Sequence, residues 1–375
     1  VHTPTRHDMS LQPLLVLLAC LAALPLCAQQ ATPDQQAHFL AGRPVDGTPL
    51  ESLAREPAWG RHAAEFNKAW DGIEQRQLEK IGSWVPRALG SASTSREPLF
   101  YMFSGPDFLY AYSFFPDAST YVFCGLEPPG TVPDVAQLPP GTLDSALANL
   151  RRSLNSVLSF SFFITKDMKN DLGTTRLTGS IPPLLVFLAR LGLHIESIKL
   201  VGLNDDGSLA GKDAPISGVQ ITFAKAGEAT QTLYYFSTDL SDSGIAKKPG
   251  FLRFCDGLGP GNGFVKAASY LMHRSHFSKV RGFLLTHAMT IVEDDSGIPI
   301  RCFAPDQWDL SCAGRYPGPI KLFEQYYQAD LGALFRRGNP NPIDFSFGYR
   351  WHPDESSVIV AKVIQVAPRA IPVVQ

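Results

Sequence analysis

The sequence predicts an α/β protein: a mixed, mainly parallel sheet with helices on both faces and a helical N-terminal extension. Three observations carry that expectation. The stretches from Leu99 to Phe103 and from Thr120 to Leu126 are apolar runs of strand length, and Phe108 to Phe115 between them suits a short helix. A strand, a helix and a second strand in that order form most simply a parallel pair with a crossover helix. The second run is also too apolar to be half solvated, as befits a strand covered on both faces. Farther on, the apolar segment from Ile181 to Leu191 has the length of a buried helix and the strand pattern from His194 to Leu203 follows it. Val219, Ile221 and Phe223 alternate, and after the turn Lys225 to Glu228 the chain returns through Leu233 to Phe236, so at least one antiparallel pair joins the sheet.

Taken in order, the chain opens with residues 1–28, where an apolar run from Leu14 to Leu26 precedes Cys27 and Ala28. That run is too short to span a bilayer and reads as a secretory signal peptide cut after Ala28. The product is expected to be exported, periplasmic or secreted. Starting at Val1 supplies Arg6 to the leader, whereas starting at Met9 leaves it without a basic residue. A lipoprotein site at Leu17-Leu18-Ala19-Cys20 is the weaker reading, because the apolar run continues past that cysteine. Residues 29–96 form a polar lead-in and a helical extension, in which Pro57 opens a helix with Phe66, Trp70, Ile73 and Ile81 on one face. Residues 97–375 form the α/β domain.

Within that domain the turn Ser104-Gly105-Pro106-Asp107 separates the first strand from its helix, which Pro116 ends. Leu147, Leu150, Leu154 and Leu158 mark one side of a later helix, and Gly192 stops another. Phe160 to Ile164 suits a helix end and a strand equally. Phe264 to His273, Phe277 to Ala288 and Pro319 to Phe335 read as helices. Met289 to Val292, Phe345 to Tyr349 and Val358 to Val366 read as strands.

Composition narrows the function. With a net charge of -2 and 18% charged residues there is no basic face for nucleic acid. No second stretch has membrane length, so no integral span is expected once the signal is removed. Of the six cysteines, Cys20 and Cys27 fall in the leader; Cys302 and Cys312 flank a loop and are spaced to pair or to stay free. The oligomeric state is left open.

Phe103-Ser104-Gly105-Pro106-Asp107-Phe108, Phe115-Pro116-Asp117-Ala118 and Gly125-Leu126-Glu127-Pro128 resemble the signature of an uncharacterised exported bacterial protein family. So do Tyr235-Phe236-Ser237-Thr238-Asp239-Leu240, Ala268-Ser269-Tyr270-Leu271 and Asp294-Asp295-Ser296-Gly297-Ile298-Pro299. The resemblance covers most of the chain beyond the leader, and it implies neither a catalytic residue nor a substrate.

The site is expected at the carboxyl ends of the first two strands, where open α/β sheets hold their ligands. Ser104 and Gly105 are its ligand-binding candidates, and Asp107 and Glu127 its candidate acid and base. Asp107 has a structural alternative as the cap of the following helix. Glu127 stands on the order of twenty residues after Gly105, the separation at which an acidic residue meets a ribose in dinucleotide folds. The turn lacks their repeated glycines, however, and Pro106 removes an anion-binding amide. The segment from Gly257 to Gly263 reads as a connector into a helix with Lys266 in its first turn, a weaker anion cradle. His273, His276 and His287 with Asp294 or Asp295 are too loosely spaced to assign a metal. No cofactor is specified. Three function classes remain: a binding protein for a small polar ligand, a hydrolase or transferase using Asp107 and Glu127, and a cell-envelope interaction protein presenting aromatic residues such as Trp308 and Trp351.

Overall fold

Five parallel strands form the middle of a single sheet in the computed structural model, which describes residues 30–159 and 177–364 together with His2. The expected leader (His2 apart), the run from Phe160 to Ile164 and the last residues of the final expected strand lie outside the described residues. Four helices come first: α1 (Pro33–Leu40), α2 (Glu51–Ala54), α3 (Pro57–Ile73) and α4 (Glu79–Leu89). Then follow β1 (Leu99–Tyr101), α5 (Phe108–Phe114), β2 (Thr120–Gly125), α6 (Leu143–Ser159) and α7 (Ile181–Arg190). The strands β3 (His194–Leu203), β4 (Leu209–Ala210), β5 (Ile216–Ala224) and β6 (Gln231–Ser237) come next, with α8 (Asp242–Lys247) and α9 (Gly250–Gly257) after them. The chain closes with β7 (Gly261–Val265), α10 (Ser278–His287), β8 (Ala288–Glu293), β9 (Trp308–Gly314), α11 (Ala329–Gly338) and β10 (Ser357–Val363).

The ten strands lie in the order β4-β3-β5-β6-β2-β1-β7-β8-β10-β9. From β6 to β8 every pairing is parallel. Outside that block every pairing is antiparallel. The expectation of a mainly parallel sheet is therefore corrected, because five of the nine pairings are antiparallel. The cause lies at the two flanks. Strands β3, β5 and β6 are consecutive antiparallel partners; β5 and β6 largely alternate between buried and half-buried side chains and β3 is mostly accessible, as suits the less covered part of a sheet. At the other flank the end of the chain returns as β10 between β8 and β9.

Alternation along the central strands sends side chains to two cores. Leu99 and Tyr101, Tyr121 and Phe123, Leu233 and Tyr235, and Phe264 point into the first core. There α1, α3, α4, α5, α6 and α7 cover them, with Phe39, Phe66, Trp70, Ile73, Ile81, Leu150 and Phe187 among the contributors. Phe100, Met102, Val122, Cys124, Phe236 and Val265 point to the opposite side, against Ile245 of α8, Phe251 of α9 and Phe283 of α10. Helices thus cover both faces, and the helices over residues 33–89 belong to the core of the sheet.

Several local expectations are corrected. Phe264 and Val265 belong to β7 and not to a helix. Its glycines are explained by close approach: a Cβ on Gly261 would lie 2.4 Å from the Pro98 carbonyl oxygen, and one on Gly263 would lie 3.1 Å from Ile291. The helix expected over Pro319 to Phe335 is split into a 3-10 segment, Lys321–Tyr326, and α11, with a non-helical kink at Phe323. Phe345 and Phe347 are buried in the first core from a loop and not from a strand, which is why an apolar alternation misled there. Cys302 and Cys312 are free thiols, as are Cys124 and Cys255.

Candidate functional site

The connections out of β1 and β7 set the position of the site. After β1 the chain enters α5, whose Phe108, Tyr110 and Phe114 pack on the first core. After β7 the next α-helix is α10, whose Val280, Phe283 and Leu284 pack on the second. Two adjacent parallel strands whose helices depart to opposite faces leave a crevice beyond their carboxyl ends, the topological switch point of a doubly wound sheet. A cavity of ≈ 250 Å³ lies there. Ser104, Gly105, Asp107, Glu127, Thr238 and Lys266 supply polar lining; Phe103, Leu240, Leu271 and Phe277 supply apolar lining.

All four residues singled out in the sequence line this cavity, in different ways. Ser104 ties the exit of β1 to β2: its amide donates to the Cys124 carbonyl at 2.9 Å and its hydroxyl accepts from the Cys124 amide at 3.2 Å. Gly105 turns the chain with φ 53°, a left-handed conformation that glycine adopts freely. Asp107 is the N-cap of α5, accepting from the Tyr110 amide at 3.3 Å through Oδ1. Glu127 is only 6% exposed, its carbonyl accepts from the Tyr235 hydroxyl at 2.8 Å, and its Oε1 accepts no hydrogen bond from any described residue. No protein family, curated protein or solved structure matches this chain.

The sequence reading missed the partner of Asp107. Lys266 follows β7, with its side chain fully buried, and its Nζ lies 2.8 Å from Asp107 Oδ2. The same oxygen accepts from the Tyr101 hydroxyl at 2.8 Å, and the ammonium sits 3.7 Å from the centre of the Tyr110 ring. Burial pulls the Lys266 pKa down, against the opposing pull of Asp107 and Asp294. Burial, reinforced by the Asp107 charge, pushes the Tyr101 phenol well up, so it stays a donor. The Asp107 carboxylate is shared among Lys266, Tyr101 and the helix amide. The only sequence signal was a lone lysine closing the apolar run Gly263-Phe264-Val265, which the glycines before it disguised as a helix start.

The loop beyond β7 is strained and clamped. Ala267, Ser269 and Tyr270 each hold φ 52°, and Phe103 across the crevice holds φ 60°. Such conformations cost a non-glycine residue on the order of 1–3 kcal/mol and persist where neighbours over-determine them. Here Asp294 Oδ1 accepts from the Ala267 amide at 3.2 Å and the Ser296 hydroxyl accepts from the Ala268 amide at 2.7 Å. Tyr349 donates to the Ala267 carbonyl at 2.7 Å and accepts from the Ser269 amide at 3.0 Å. The Asp294-Asp295-Ser296-Gly297 turn therefore holds the far wall of the cavity. His287 pairs with Asp256 at 2.8 Å, and among the described residues no three His, Cys, Asp or Glu side chains converge as metal ligands would.

A Cβ on Gly125 would lie 2.6 Å from the Tyr235 hydroxyl, 2.7 Å from Glu127 Oε2 and 3.3 Å from the Gly105 Cα. Gly125→Ala is expected to displace Glu127 and to cost about 1–3 kcal/mol, as overpacking does. Gly105→Ala meets no atom within 4 Å and carries only the left-handed penalty, about 1 kcal/mol. Urea unfolding of both variants checks the order. Equal losses would mean that the tight packing of Gly125 against Tyr235 and the Gly105 turn is not what holds Glu127.

Proposed function

We propose that the protein binds a small polar ligand in the crevice beyond β1, β2, β6 and β7, with Ser104, Gly105, Asp107 and Glu127 around it. The observation that carries this reading is the cavity at the switch point, where a buried carboxylate oxygen without a donor among the described residues meets a loop held in a strained conformation. Binding sites concentrate at that place in open α/β sheets. We further read the protein as exported, on the apolar run from Leu14 to Leu26 and the small residues after it, and a secreted product beginning at Gln29 by N-terminal sequencing is the expected result.

A thermal-shift screen against sugars, nucleosides, amino acids, fatty acids and divalent metals tests the ligand reading. One class is expected to raise the melting temperature of the native protein by several degrees through mass action, and Glu127→Gln to lose the shift while staying folded. Shifts equal in native protein, Asp107→Asn and Glu127→Gln would place the ligand elsewhere. A hydrolase or transferase reading draws on one further observation, the buried Lys266 whose pKa is pulled down at the floor of the cavity. It requires a variant that binds but no longer turns its ligand over.

A further inference from the structure

We infer that the crevice takes a vicinal diol, the pair of neighbouring hydroxyls of a ribose ring, and that Glu127 receives it. The inference rests on the ligand reading above and names the chemistry of that ligand. Numbered by their order in the chain, the five parallel strands stand third, second, first, fourth, fifth across the sheet: β6, β2, β1, β7, β8. In the dinucleotide-binding sheets that share that order, an acidic residue after the second strand accepts from a ribose hydroxyl. Here the second strand is β2, and Glu127 follows its last residue, Gly125, by two positions.

The geometry at Glu127 points the same way. Its Oε2 turns back over Gly125 and lies 3.5 Å from the Tyr235 hydroxyl, whose hydrogen bond at 2.8 Å goes to the Glu127 carbonyl. Glu127 lines the cavity, and its Oε1 is buried without a donor from the described residues. A carboxylate oxygen withdrawn from water loses several kcal/mol of hydration unless a donor replaces it. A hydroxyl entering the crevice would supply such a donor, and hydroxyl groups are donors that need no charge of their own.

The same site argues against a pyrophosphate. Pro106 has no N–H to give, and the one lysine at the floor is already engaged by Asp107 at 2.8 Å. Phe103, Leu240, Leu271 and Phe277 instead offer an apolar wall beside the diol site, which suits the flat base of an uncharged nucleoside. A free pentose carries the same diol without the base, and the two sources are separable.

Isothermal titration of the protein with adenosine, 2′,3′-dideoxyadenosine and D-ribose tests this. Adenosine is expected to bind, and dideoxyadenosine to bind roughly 10- to 100-fold more weakly, the usual value of a hydrogen bond to a charged acceptor. Glu127→Gln is expected to lose adenosine affinity by a similar factor, and because the ligand-side deletion removes the same contact, the result stands even if that variant folds poorly. D-ribose binding as tightly as adenosine would keep the diol and make the sugar itself the ligand. If adenosine and dideoxyadenosine bind equally and both are excluded by Leu271→Trp, which narrows the crevice, the diol inference is overturned and the ligand reading stands. If no compound binds, the diol inference falls and the thermal-shift screen alone decides the ligand reading; if adenosine binds and Leu271→Trp changes nothing, both fall.

Discussion

Lys266→Met is expected to destabilise the protein by roughly 3–5 kcal/mol, one of the two largest effects of a single substitution anticipated here. The cost comes from what remains and not from what is removed. Asp107 is 2% exposed and would keep only the Tyr101 hydroxyl and the Tyr110 amide as donors, so a carboxylate would lie in the interior without a counter-charge. Asp107→Asn is expected to cost less, because an asparagine oxygen still accepts from Tyr101 and still caps α5, and because a lysine already depressed by burial can shed its proton. The decisive quantity is the double variant. An asparagine side chain at position 107 needs no cation, so Lys266→Met in the Asp107→Asn background should cost about 1–3 kcal/mol less than it does alone. Urea unfolding of the four proteins measures this coupling. Strict additivity, or a single-variant cost below about 1 kcal/mol, would mean that the pair is not the electrostatic keystone of the cavity floor.

How much of this was legible in the sequence depended on distance along the chain. Ser104, Gly105, Asp107 and Glu127 are placed by one continuous strand, turn, helix and strand, and each step has local chemistry: a turn cluster, a proline just before the helix N-cap, a proline after the helix end. The structure brings those four around one cavity. Lys266 reaches the same place only because β7 lies beside β1, with Leu99 opposite Asn262, and no local pattern reports a pairing between segments so far apart. The glycines at 261 and 263 deepened the error, since only the packed sheet reveals the Pro98 carbonyl and Ile291 that exclude a side chain there. The balance of parallel and antiparallel pairs was hidden for the same reason. Nothing local in Val358 to Val363 says that the strand inserts between β8 and β9.

Asp295→Asn is expected to make the protein more stable than the native chain at neutral pH, by an amount that disappears on acidification. Glu293, Asp294 and Asp295 close β8 in succession and all are buried. Burial pushes the Glu293 carboxyl well up, and burial with the neighbouring Asp294 charge pushes Asp295 up to about 7, while the Tyr270 hydroxyl and Arg350 pull it down. A group raised in the folded state from its ordinary value near 3.8 binds its proton more tightly there than in the unfolded chain. Its favourable contribution is therefore complete below about pH 4 and is lost as pH rises through about 7, a swing on the order of 4 kcal/mol. Asparagine keeps the acceptor for Tyr270, whose hydroxyl lies 2.6 Å from Asp295 Oδ2, and has no proton to lose. The native profile alone does not isolate this effect. His62 and His273, held down to about 4 mainly by burial, contribute stability above pH 6.5 that is lost on acidification, with the opposite sign. Both histidines are present in both proteins, so the difference between the two curves reports Asp295 together with the buried carboxyls it interacts with, Asp294 and Glu293. Urea unfolding at steps from about pH 4 to about pH 8 should show the variant gaining on the native protein throughout the rise to about pH 7 and then running parallel to it. A difference that is flat, or that favours the native aspartate at neutral pH, would mean that Asp295 is ionised and satisfied in the folded protein. The far wall of the cavity would then rest on a charge and not on a neutral hydrogen-bonded acid.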